Sequence, residues 1–179
     1  MSSKKVVFTN DELKLGSHYL RYHLKMYTET LLELQDNSSA ISWDTVGNAV
    51  LEDHLVHARA LIDFLSKDYS KSREDDILAV AFFLDVPSLF TPFQDKFLID
   101  QAQDIGGQAI HITKKSMPNL RSQKDWPIRE IAKRLAPALK SFFTIAPEAK
   151  LADNVKRDCL GYLARLTPPE IPVSFHVAT

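Results

Sequence analysis

The chain has 179 residues, enough for one ordinary domain with a real core and too few for two comfortable ones. Its 45% hydrophobic and 25% charged content suits a globular protein, and a formal net charge of −1 excludes a global field that steers nucleic acid or an anionic membrane. The single cysteine, Cys159, excludes an internal disulfide and a zinc–thiolate cluster; with no signal-peptide run and no stretch of membrane-spanning length, the expectation is a cytoplasmic protein with no membrane partner.

Five glycines and long segments of 3.6-residue period predict helix throughout, with no alternating strand pattern and no hairpin turn. Thr9-Asn10-Asp11-Glu12 reads as a capping box. The helix it opens runs to about Gln35 and buries Leu13, Leu20, Leu24, Tyr27, Leu31 and Leu34. Asp44 or Thr45 caps a second helix that ends near Lys67. From Asp68 to Pro92 the pattern is irregular, a loop with one short helix inside Ile77–Leu84, of the kind that often shapes a cleft. A third helix is predicted from about Phe93 to Lys115, with Leu98, Ala102, Ile105, Ala109 and Ile112 on its core face. Gly106 and Gly107 inside it each cost about 1 kcal/mol relative to alanine, a cost that close approach of a neighbouring helix would explain.

Trp126-Pro127 opens a fourth helix, with Pro127 near the first helical position and Ile128, Ile131, Leu135, Leu139 and Phe142 as its stripe. Pro137 falls on its solvent side. A shorter fifth helix spans about Glu148 to Leu166, and 167–179 is an extended tail. The expected fold is a single all-α domain over 1–166, a four- to five-helix bundle with antiparallel neighbours.

Three clusters can carry chemistry. In the second helix, His54-x-x-His57 is accompanied by Glu52, Asp53, Arg59 and Asp63. Histidines three apart can share a metal, and a hydrolytic centre would need one more ligand from another helix, for which His18, His23 and His111 are available. The helical wheel places His54 in the apolar arc and His57 with Asp53 in another sector. The plainer reading is therefore a hydrogen-bonded core histidine beside an Arg59–Asp63 ion pair.

The third helix gathers Asp100, Gln101, Asp104, Gln108 and His111 opposite its core stripe. A histidine among carboxylates can act as general acid or base, and a solvated polar face is the simpler account. The third cluster is basic: Lys114, Lys115, Arg121 and Lys124, then Arg129, Lys133, Arg134 and Lys140. It forms either a phosphate-contacting strip or the charged outer face of an amphipathic helix. Nucleophile-elbow and phosphate-loop signatures are missing, and Cys159 reads as a core or half-buried thiol.

Three pieces in order resemble a known group: Glu52-x-x-x-x-His57-Ala-Arg59-x-Leu61-x-Asp63-Phe64, then Ala109-Ile-His-Ile-Thr113, then Trp126-x-Ile128-x-x-Ile131. The order resembles uncharacterised bacterial helical proteins in which the middle piece reads Ala-His-Leu-Thr. These are similar to the HEPN superfamily (higher eukaryote and prokaryote nucleotide-binding), helical bundles that often act as RNases. The resemblance covers roughly residues 45 to 143.

It implies a dimer and His111 as the matching catalytic histidine; the clusters read above supply the expected binding residues, Asp104, Gln108, Arg59, Lys114, Lys115, Arg129 and Lys133, and no cofactor is expected. The superfamily sets an arginine shortly before its histidine. The matching positions here hold Asp104, Ile105 and Gly106, and an aspartate repels a phosphate where a cation would stabilise it. A HEPN-like member that binds RNA or a partner protein without cutting RNA is the leading expectation. The competing one is a metal-dependent hydrolase on His54 and His57.

Overall fold

The first helix begins where the sequence places it. Thr9 N–H donates to Glu12 Oε2 at 2.7 Å and Glu12 N–H donates to Thr9 Oγ1 at 3.2 Å, the reciprocal bonds of a capping box. The computed structural model describes residues 7–36, 45–69, 73, 75–107 and 126–166. Among these the chain forms five α-helices and no strand: α1 (Asn10–Asp36), α2 (Thr45–Ser66), α3 (Lys96–Ile105), α4 (Ile128–Ile145) and α5 (Val155–Arg165). The expected all-α bundle is what the chain adopts. The tail and the end of the predicted third helix lie outside the described residues.

All six residues of the predicted α1 stripe are buried, and α2, α5 and the turn at Glu148–Lys150 supply the opposing surface. At about 1.5–3 kcal/mol for each fully buried large aliphatic side chain, this stripe is the main local reason that α1 stays docked. α2 runs antiparallel to α1: His23 meets His57 and, further along α1, Thr30 meets the earlier His54. α3 returns antiparallel to α2, with Phe93 N–H bonded to Leu65 O and Gly106 facing Arg59. α5 lies beside the first half of α1, where Arg21 pairs with Asp158 at 3.1 Å and Ser17 Oγ accepts from Ala152 N–H.

Several boundaries differ from expectation, each for a local reason. α3 starts at Lys96 because the Asp95 side chain accepts from Leu98 N–H and caps it there. Pro127 is the N-cap of α4 rather than its first residue, and its carbonyl accepts from Ile131 N–H. The fifth helix is shorter than expected. A 3-10 turn at Glu148–Lys150 is separated from α5 by Asn154, whose φ of 65° lies in the left-handed region that ends regular helix. Pro137 is exposed within α4, as its place on the wheel requires.

The irregular stretch between α2 and α3 contributes to the core. A 3-10 turn at Ala79–Phe83 buries Ala79, Ala81, Phe82 and Phe83. Phe142 of α4 meets Phe64, Phe82 and Phe83 edge-on, at ring separations of 5.0, 5.5 and 5.9 Å. The buried Lys150 ammonium donates to Phe82 O at 3.0 Å and pairs with Asp85 at 2.6 Å, tying this segment to the turn before α5. Pro87 opens a second 3-10 turn, Pro87–Leu89.

Candidate functional site

The α1–α2 seam carries the densest polar cluster described, because α2 presents histidines to α1 from within its apolar surface. His57 is 4% exposed and hydrogen-bonds through Nδ1 to Nδ1 of half-buried His23, at 2.8 Å. On its other side, His57 Nε2 lies 3.4 Å from Asp53 Oδ1, one turn earlier on α2. Tyr22 packs edge-on against both rings, with centroids 5.6 and 5.5 Å away.

The carboxylate fixes the proton positions. With Asp53 facing Nε2, His57 keeps its proton there and offers a lone pair at Nδ1, so His23 Nδ1–H is the donor of the pair. The result is a carboxylate–imidazole–imidazole chain that can take up a proton at His23 and share it inward. Burial lowers the proton affinity of both histidines; the neighbouring ring adds to this for His23, while Asp53 opposes it for His57.

One turn away, His54 has a different role. It is fully buried and stacks on Tyr27 at 4.6 Å. Its Nδ1 lies 3.1 Å from Thr30 Oγ1, whose hydroxyl proton is already given to Met26 O at 2.8 Å, so His54 Nδ1–H must donate. Nε2 then holds a lone pair that meets no hydrogen-bond partner among the described residues, and the buried Tyr27 hydroxyl meets none there either. Burial pushes the His54 pKa down to about 4, against the opposing pull of a hydrogen bond to the Tyr27 backbone.

Thus the structure turns His54 and His57 to different partners, and it brings His57 together with His23 and Asp53. Among the described residues, no group of three or more His, Cys, Asp or Glu side chains is placed to hold a metal ion. The role of His23 was legible only as a hint: it lies three residues after Leu20 and four before Tyr27, at the margin of the buried stripe.

Arg59 pairs with Asp63 at 3.6 Å, as its spacing predicts, and Lys67 joins that carboxylate at 2.8 Å. The Arg59 guanidinium lies against Gly106, where an added Cβ would come within 2.6 Å of Nη1. This glycine therefore accommodates a side chain from α2 rather than a helix backbone. Asp104 is half-buried, and Asp100 is engaged by Lys96 at 2.6 Å. Gln108, His111, Lys114, Lys115, Arg121 and Lys124 lie outside the described residues.

On α4, Arg134 is neutralised by Glu130 and Asp95 and rests 4.8 Å over the Phe97 ring. Lys133 and Lys140, two turns apart, are exposed on one face with Arg129 a turn before them; neither lysine ammonium is paired among the described residues. No helix among the described residues is long and apolar enough to cross a membrane. Compared with family models, curated proteins and solved structures, the chain matches none.

Proposed function

We propose that the chain is a HEPN-like helical module that works as a homodimer by binding single-stranded RNA, without cutting it. The supporting observation is the outer row of α4. Arg134 is taken up by two carboxylates, whereas Lys133 and Lys140 are exposed and unpaired among the described residues. In sequence this row directly follows the cations Lys114, Lys115, Arg121 and Lys124. A local strip of this kind can hold a phosphate backbone on a chain whose net charge is only −1. The position of Asp104 supports binding over cleavage, because the superfamily's RNase motif places a cation in that region.

The test is a titration of labelled single-stranded RNA, scored for both retardation and cleavage, with Lys133→Glu/Lys140→Glu and His111→Ala beside the parent. Retardation should weaken with salt, and losing two phosphate contacts should reduce the logarithmic salt slope by about 1.4. Cleavage abolished in His111→Ala would overturn the non-catalytic reading. If RNA is neither shifted nor cut, the nucleic-acid reading falls. A partner protein then becomes the ligand to test, at the exposed row Leu15, Tyr19 and Tyr22 on α1.

A further inference from the structure

Between Glu12 and Glu29, α1 carries no acidic residue, and the run between them interleaves cations with tyrosines. Wound as a helix, it presents two adjoining stripes. Lys14, His18, Arg21 and Lys25 make one, and Leu15, Tyr19, Tyr22 and Met26 make the other. We propose that this outer face of α1 is a stacking platform for single-stranded RNA: bases lie against Tyr19 and Tyr22 while Lys14 and Lys25 hold phosphates. The platform rests on the RNA reading above and adds to it the surface that contacts bases.

The rings are placed for this. Tyr19 is 64% exposed and Tyr22 52%, so each has a surface that a base can cover. Stacking of this kind accepts any base, because every base has a π-face. Tyr22 is also held edge-on against the His23 and His57 rings, so it loses little side-chain freedom when a base covers it.

The charges suit a phosphate backbone. Lys14 and His18 are exposed, and no ion pair engages either among the described residues. Lys25 has Glu29 at 3.9 Å, an exposed pair of little strength, whereas Arg21 is committed to Asp158 at 3.1 Å. Beside Leu15 the face dips into an open hollow of about 530 Å³, lined by Lys14, Leu15, His18, Ala152 and Asp153. It has room for one further base, with the Asp153 carboxylate as acceptor for a base amino group or a ribose hydroxyl.

The experiment titrates the full chain with labelled mixed-sequence single-stranded RNA and with an abasic ribose-phosphate strand of the same length. Tyr19→Ala should weaken binding of the RNA about tenfold, leave its salt slope unchanged and leave the abasic strand unaffected. Tyr19→Phe, which keeps the ring, should bind as the parent does. Lys14→Gln/Lys25→Gln should weaken both strands and reduce the logarithmic salt slope by about 1.4. Equal binding by parent and Tyr19→Ala, or an equal loss on the abasic strand, overturns the platform. If Lys133→Glu/Lys140→Glu still weakens binding in that case, the α4 strip stands without it. A loss in Tyr19→Ala with no effect of the α4 substitutions keeps the platform and removes the strip. A parent that binds neither strand overturns both, and the row passes to a partner protein.

Discussion

Replacing His54 with phenylalanine should remove the part of the bundle's acid sensitivity that this buried ring supplies. In the unfolded chain His54 takes a proton near its ordinary 6.5, whereas burial in the fold holds it back to about 4. Between those values the unfolded state binds more protons than the folded state, so stability falls as the pH drops from 6.5 toward 4. Above 6.5 and below about 4, this residue no longer changes it. At about 1.4 kcal/mol per pH unit, the interval amounts to about 3 kcal/mol. That is a large fraction of the 5–15 kcal/mol, roughly, that holds a domain together.

Phenylalanine keeps an aromatic ring against Tyr27 and removes the titrating nitrogens. The assay is urea unfolding followed by far-ultraviolet circular dichroism, with chelator present, for parent and variant at neutral pH and near pH 4. The parent should lose about 3 kcal/mol more than His54→Phe over that interval. Equal losses would refute the argument, because they would show that His54 is protonated as readily in the fold as out of it.

Two further substitutions probe packing and capping. Phe142→Ala removes the ring that Phe64, Phe82 and Phe83 meet edge-on, and should cost about 3–5 kcal/mol in chemical denaturation. A loss below about 1 kcal/mol would mean that the cluster collapses around the gap. Thr9→Ala deletes the hydroxyl that accepts from Glu12 N–H and should cost about 1 kcal/mol, read as a lowered melting temperature. An unchanged melting temperature would show that α1 frays at that end without consequence.

The parts of the fold legible in the sequence are those where one helix face is uniformly apolar. The α1 stripe from Leu13 to Leu34 is an example, since no competing period interrupts it. His54 was legible as a core histidine for the same reason, and Arg59–Asp63 because a four-residue spacing forces the meeting. The segment 79–83 was less so: a short apolar run has no period of its own, and only the surrounding helices decide that it turns inward. The start of α3 depended on a single side-chain bond from Asp95, which local apolarity at Phe93 concealed. The contact between His23 and His57 joins residues 34 apart, so no local pattern encodes it. The end of the third helix's polar face, Gln108 and His111, lies outside the described residues, and its contribution rests on the RNA titration.

The buried turn at Ala79–Phe83 changes what counts as a connector in this protein. It supplies two of the rings around Phe142, and its Phe82 carbonyl is held by Lys150 from the far end of the chain. A designer who shortened 77–84 as a spare loop, or opened a circular permutant there, would remove the wedge packed between Phe64 of α2 and Phe142 of α4. Fusion partners and reporter insertions belong instead at Pro87–Leu89, where no side chain is buried and the backbone turns at the surface.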